Sequence, residues 1–312
     1  MVRIVNRRKR VVILHVGTHK TGTSYLQRLF LLSRKLLHSE SIHYPSPAHE
    51  ELGDHHLLVS WLNDGLHGWE RFFSALVSDC DYTLVSSETL LTWLMTSASA
   101  NEFAQQLTNF AEVRVVIYIR RQDFMKESVF AEVATSWYRG SIMEENHYRY
   151  NYGYFTDQLI SLFGIDSLRL GIYRDDVKTS LSADFFRLCG LSHIAQSLPS
   201  IPPQRVSLDR RIVALMAPFP KDDPIIVDRL RRAALVALRP DSCKYLLSPQ
   251  ERRCFLERFL PSNRELARSL RPDAECYLVG DEDIPEVWTP LELFSLDELT
   301  ELTRLLLLPD TA

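Results

Sequence analysis

The sequence has little that would build a fibre, a disulfide staple or a membrane anchor. Only 11 of its 312 residues are glycine and 15 are proline, which excludes a collagen-like or low-complexity chain. Cys80, Cys189, Cys243, Cys254 and Cys276 form no C-x-x-C pair and have no histidine at zinc-finger spacing. A disulfide framework and a structural zinc site are therefore not expected, and the thiols read as reduced, in a cytoplasmic setting. No stretch approaches the roughly 18 consecutive apolar residues of a membrane span. The apolar run after Arg7-Arg8-Lys9-Arg10 is too short for a signal peptide. Excess positive charge is missing too: 36 Lys+Arg against 40 Asp+Glu leave a formal charge of −4, so no nucleic-acid partner is expected. Any anion must be gripped by local groups.

What is present is an ordinary globular composition, 46% hydrophobic and 24% charged, on a chain long enough to bury its own core. Four short, continuous apolar runs, Val11 to Val16, Tyr82 to Ser86, Val113 to Ile119 and Leu168 to Tyr173, suit strands buried on both faces of a parallel sheet. Helix-length stretches separate them: Gln27 to Leu37, Phe124 to Tyr138 before Gly140, and Asp184 to Leu188 before Gly190. Beyond about residue 205 the strand pattern fades. Val206 to Met216, Ile225 to Leu238 and Pro249 to Leu270 read as helices, and Ser295-Leu296-Asp297-Glu298 reads as a capping box opening a last Leu-rich helix. The expected fold class is α/β, a parallel β-sheet flanked by helices with a helical C-terminal part. It is read as one domain over 10–312, with the α/β core in 10–200 and the mainly helical part in 201–312.

The first strand runs straight into Gly17-Thr18-His19-Lys20-Thr21-Gly22-Thr23-Ser24 and then a helix. Such a turn aims backbone N–H groups and the positive helix end at one point, a phosphate-binding arrangement of P-loop type; a plain strand-to-helix turn is the alternative. Against G-x-x-x-x-G-K-[ST], Gly17, Gly22 and Ser24 fit, yet Thr23 stands where the lysine belongs and Lys20 lies three positions earlier. After the third strand, Arg120 and, eight residues on, Ser128 offer a guanidinium and a hydroxyl suited to a phosphate monoester. Arg121 should face the other way, since adjacent strand residues alternate. Glu88, directly after the second strand, can act as a general base or simply start a helix. His15 reads as structural, His19 as a possible phosphate contact, and His55-His56 as an improbable metal pair.

His15 to Gln27 resembles the 5′-phosphosulfate loop of sulfotransferases that use 3′-phosphoadenosine 5′-phosphosulfate (PAPS), especially bacterial members acting on carbohydrates. The resemblance implies a P-loop sulfotransferase fold, with PAPS as co-substrate and adenosine 3′,5′-bisphosphate as product. It also implies an acceptor hydroxyl on a carbohydrate or glycoconjugate, and no required metal. It implies that His19, Lys20, Thr21, Gly22, Thr23 and Ser24 hold the 5′ side of the donor, that Arg120 and Ser128 hold its 3′-phosphate, and that Lys20 and Glu88 are catalytic. Ser262 to Ala267 resembles a C-terminal segment of the bacterial members; the Arg-Lys-Gly motif of cytosolic small-molecule sulfotransferases is missing. Trp61, Trp69, Trp93, Trp137, Tyr138, Tyr148, Tyr150, Tyr152 and Tyr154 are expected either to stack on a sugar or to join the core. Two other readings are a P-loop nucleotide or metabolite kinase, which predicts Mg²⁺-dependent ATP binding, and a non-catalytic nucleotide- or glycan-binding module.

Overall fold

A computed structural model describes residues 10–307, apart from 47–48, 50, 135–139, 145–149, 175–176, 178–179, 203–207, 220–221, 240, 242, 281–287 and 293. In chain order the elements are β1 (Val11–His15), α1 (Thr23–Leu32), α2 (Arg34–Ser39), β2 (Ile42–His43), α3 (His56–Trp61), α4 (Gly65–Leu76), β3 (Tyr82–Ser86), α5 (Glu88–Thr96), α6 (Ala100–Phe110) and β4 (Glu112–Ile119). They continue with α7 (Gln122–Ala134), α8 (Tyr152–Phe163), β5 (Leu168–Ile172), α9 (Leu181–Leu188), α10 (Arg210–Met216), α11 (Pro224–Ala237), α12 (Pro249–Glu257), α13 (Leu260–Leu270), α14 (Glu275–Val279) and α15 (Leu296–Leu307). The fold class is α/β, as read from the sequence.

The chain divides into two compact units. The first comprises Met1–Arg121, Asn151–Gln204 and Ser262–Ala274, the second Gln122–Tyr150, Arg205–Pro261 and Glu275–Ala312. The chain thus crosses the expected boundary near residue 200 differently: the second unit starts at α7, and Ser262–Ala274 returns to the first.

In the first unit five strands form one sheet in the order β2-β3-β1-β4-β5, every neighbouring pair parallel. From the central β1 the chain steps out to β2 and β3 on one side, then to β4 and β5 on the other. The loops leaving β1, β3 and β4 therefore open on the same edge, beside the point where the winding reverses, and open parallel sheets bind ligands there. The strands are buried on both faces because their sequences are continuously apolar. Against one face pack Leu26 and Phe30 of α1 and Phe185 and Phe186 of α9, over Ile13, Val116 and Tyr118. Gly190, just past α9, has φ +74°, the left-handed conformation expected after a helix end.

Three expectations change. Gln27 to Leu37 is not one helix: α1 and α2 meet at Ser33, whose ψ is 9°. Pro249 to Leu270 is also two helices, α12 and α13. Pro261 has no N–H to donate to the Glu257 carbonyl, so the ladder of α12 stops and Pro261 sits in the first turn of α13. Third, Tyr152–Phe163 is a helix, started by the Asn151 side chain, which accepts from the Tyr154 N–H at 3.2 Å.

The second unit is helical and holds its buried charges in pairs. Arg252 (side chain 1% exposed) meets Asp123 at 2.8 Å and Glu127 at 2.6 Å, under the rings of Phe124 and Tyr245. Burial pushes the Glu127 carboxyl upward against the pull of Arg252. Arg210 pairs with Asp241 at 2.7 Å and Arg211 with Glu298 at 2.8 Å. The capping box of α15 forms as expected: the Ser295 N–H donates to Glu298 Oε2 (2.8 Å) and the Glu298 N–H to Ser295 Oγ (3.2 Å). No helix among the described residues is long and apolar enough to cross a membrane.

Candidate active site at the sheet edge

The loop after β1 is stitched by its own hydroxyls. Thr18 Oγ1 donates to the Tyr118 carbonyl (2.6 Å) at the end of β4, and Thr21 Oγ1 donates to the Thr18 carbonyl (2.7 Å). Thr23 Oγ1 reaches the same carbonyl at 3.4 Å. A side chain at Gly17 would meet Thr23 Oγ1 at 2.5 Å, so only glycine lets the loop close. Thr21 and Thr23, expected as cofactor contacts, thus turn their hydroxyls inward; what they can offer an anion is backbone N–H. Lys20, half-buried, has φ +61°, a left-handed conformation that costs a non-glycine residue about 1–2 kcal/mol. Gly22 follows at φ +79° as the N-cap of α1, with no side-chain cap and no acidic residue in the first turn. The first amides of a helix have no intrahelical acceptor, so this start, with Ser24 half-buried on it, can receive an anion.

The carboxylate expected as base stands opposite. The Ser87 N–H donates to the His15 carbonyl (3.1 Å) in line with the β1–β3 register, which brings Glu88, the first residue of α5, to the loop. Its Oε2 lies 2.7 Å from His19 Nδ1, with side-chain exposures of 24% and 32%. This pair joins two residues that the sequence singled out separately.

Beneath it lies a neutral platform. His15 Nδ1 and Ser86 Oγ share a hydrogen bond of 2.8 Å, His55 Nδ1 accepts from the Ser86 N–H (3.0 Å), and His55 Nε2 meets the Pro45 carbonyl at 3.1 Å. Burial lowers both histidines to about 4, so they are uncharged at neutral pH and His15 is structural, as expected. His55 is buried and His56 exposed, so the two do not form a metal pair. Sequence reasoning missed Asp54, directly before them. Burial, with Glu88 adding repulsion, raises its carboxyl; Ser87 hydrogen-bonds to it, and its Oδ1 is buried without a hydrogen-bond partner. A lone aspartate in an irregular stretch carries no pattern that could have found it.

Arg120 directly follows β4 and is half-buried, its guanidinium 5.7 Å from the centroid of the Tyr173 ring, and its carbonyl accepts from the Tyr152 hydroxyl at 2.5 Å. A side chain at Gly22 would come within 3.0 Å of that same Tyr173 ring, so one ring borders both the loop and the arginine. Arg121, the next residue, lies past the end of β4 and is fully buried. Ser128 is half-buried on α7 in the second unit.

The aromatic residues divide. Trp69, Trp93, Tyr150 and Tyr152 are buried core, Trp61 lies half-buried under Arg71 at 4.1 Å, and Tyr154 is exposed. Trp137, Tyr138 and Tyr148 lie outside the described residues. In Ser262 to Ala267, Asn263, Leu266 and Ala267 are buried, so that segment packs one face of α13 inward. Comparison with protein-family models, curated proteins and solved structures found no match to this chain.

Proposed function

We propose that the first unit binds PAPS on a P-loop-type loop and transfers its sulfuryl group to a hydroxyl of a carbohydrate or glycoconjugate. The observation that carries the reading is the position of the lysine. Lys20 lies inside the Gly17–Ser24 loop in a left-handed conformation, while Thr23 occupies the place of the usual P-loop lysine. A cation inside the turn suits a single 5′-phosphate and the group bonded to it, rather than a β/γ-phosphate pair further out. The uncapped start of α1 suits the 5′-phosphate oxygens, and Arg120 suits the 3′-phosphate. The carbohydrate class rests on the resemblance of His15 to Gln27 to bacterial members acting on carbohydrates, because most of the described aromatics belong to the core.

In this reading the acceptor oxygen attacks sulfur in line with the departing 5′-phosphate oxygen. Positioning can supply about 7–11 kcal/mol of the barrier. Lys20 neutralises charge growing on the bridging oxygen, a contribution comparable with the roughly 3–4 kcal/mol of one well-aimed oxyanion donor. The acceptor proton leaves towards Glu88 and its hydrogen-bonded His19.

Titration calorimetry tests the donor. Adenosine 3′,5′-bisphosphate is expected to bind more tightly than ATP with Mg²⁺, and Arg120→Ala to weaken the bisphosphate far more than adenosine 5′-monophosphate. Binding of ATP with Mg²⁺ at equal or greater strength would replace this reading with the kinase one. Labelled PAPS with a panel of glycans then tests the acceptor class.

A further inference from the structure

We propose that His19 and Glu88 act as a dyad in which His19 Nε2 takes the acceptor proton and Glu88 is the positioning residue that orients the ring. The inference rests on the sulfuryl-transfer reading and names the atom that does the proton chemistry.

Three observations support it. First, a contact of 2.7 Å is in the range of a charge-assisted hydrogen bond, and an ionised carboxylate can only accept, so His19 Nδ1 carries a proton and, in the neutral ring, Nε2 carries the lone pair. Second, the two residues hang from one rigid pairing: His19 follows His15 by four positions, Glu88 follows Ser86 by two, and His15 and Ser86 are register partners. Third, the nearby buried histidines are occupied: His15 and His55 spend ring nitrogens on Ser86 and Pro45 and stay neutral in the core. His19 is the histidine that is both on the loop and partly open to solvent.

The step balances. As the acceptor oxygen forms its bond to sulfur, its O–H bond breaks and the proton passes to Nε2. The bond from sulfur to the bridging oxygen breaks, and its electron pair stays on the 5′-phosphate beside Lys20. Nδ1–H remains donated to Glu88, whose charge steadies the imidazolium until it returns the proton to water. The titratable groups that feel Glu88 are His15 on β1 and Asp54, two residues before α3, and Lys20 is the chain neighbour of His19.

The probe is PAPS itself, with slow sulfate release to water standing in for the unidentified acceptor, alongside calorimetry with adenosine 3′,5′-bisphosphate. His19→Ala is expected to cut turnover about 10²–10⁴-fold, far more than it weakens the bisphosphate, and added imidazole to restore part of the rate. Glu88→Gln should lose a similar factor without response to imidazole. In the proton spectrum it should also lose the low-field Nδ1 signal of His19, a readout independent of turnover. Normal turnover by His19→Ala, or rescue of Glu88→Ala by formate with none of His19→Ala by imidazole, would overturn the assignment and make Glu88 the base in contact with the acceptor. Failure of the bisphosphate to bind the unaltered protein would instead sink the donor reading, while the Nδ1 signal would still report on the dyad.

Discussion

The two units handle buried polarity in opposite ways. Under the loop of the first unit, His15, His55 and Thr18 are buried and use neutral hydrogen bonds, to Ser86, to Ser86 and Pro45, and to Tyr118, although Arg121 just past β4 is a buried cation of the same unit. The charged groups there, Lys20, His19 and Glu88, stay at the rim, none of them fully buried. In the second unit, charge itself is buried and matched: Arg252 with Asp123 and Glu127, Arg210 with Asp241, Arg211 with Glu298. A buried ion pair earns little net stability but is costly to break, whereas a partly exposed charge is available for chemistry. The same residue types therefore carry different expectations in the two units.

The sharpest break is Lys20→Ala. If the proposed reading holds, it should lower PAPS turnover by at least about a thousandfold while urea unfolding changes little, because alanine keeps the same left-handed backbone and Lys20 is only half-buried. Next comes Arg252→Met, which leaves Asp123 and Glu127 without their cation; a loss of about 3–5 kcal/mol in urea unfolding is expected. If that variant unfolds like the parent, the contrast between the units fails. The smallest effect depends on pH. The Arg211 guanidinium, with N–H groups of Arg239 and Ser295, holds the Glu298 carboxyl well below the usual carboxylate range. Because the folded value lies below the unfolded one, its contribution is whole above the ordinary Glu range and is lost as pH falls towards the folded value. Glu298→Gln should therefore differ from the parent at neutral pH, and the gap should narrow at about pH 3.

Much of the sheet was legible because buried parallel strands are continuously apolar: β3 matches its run residue for residue, and β1, β4 and β5 match theirs to within one residue at an end. β2 was not, since two residues, Ile42 and His43, make no pattern. The helix α8 was missed because its tyrosines suggested a ligand surface, although the Asn151 cap was there to read. Pro261 likewise announced the break between α12 and α13. At the site, Lys20 and Glu88 could be named from motif and position. The contact between Glu88 and His19 could not, because it depends on how β1 and β3 align side by side, and residues 69 positions apart give no local sign of that (88 − 19).

The hydroxyl stitching around Thr18 has a kinetic meaning. A turn already locked to β4 and to itself has surrendered its conformational freedom when the chain folds, so an arriving anion has no loop to organise. If the loop takes the donor as proposed, capture should be governed by encounter and desolvation, and substitutions that unpick Thr18 or Thr21 should slow association through a floppy turn, since both hydroxyls are spent on backbone carbonyls.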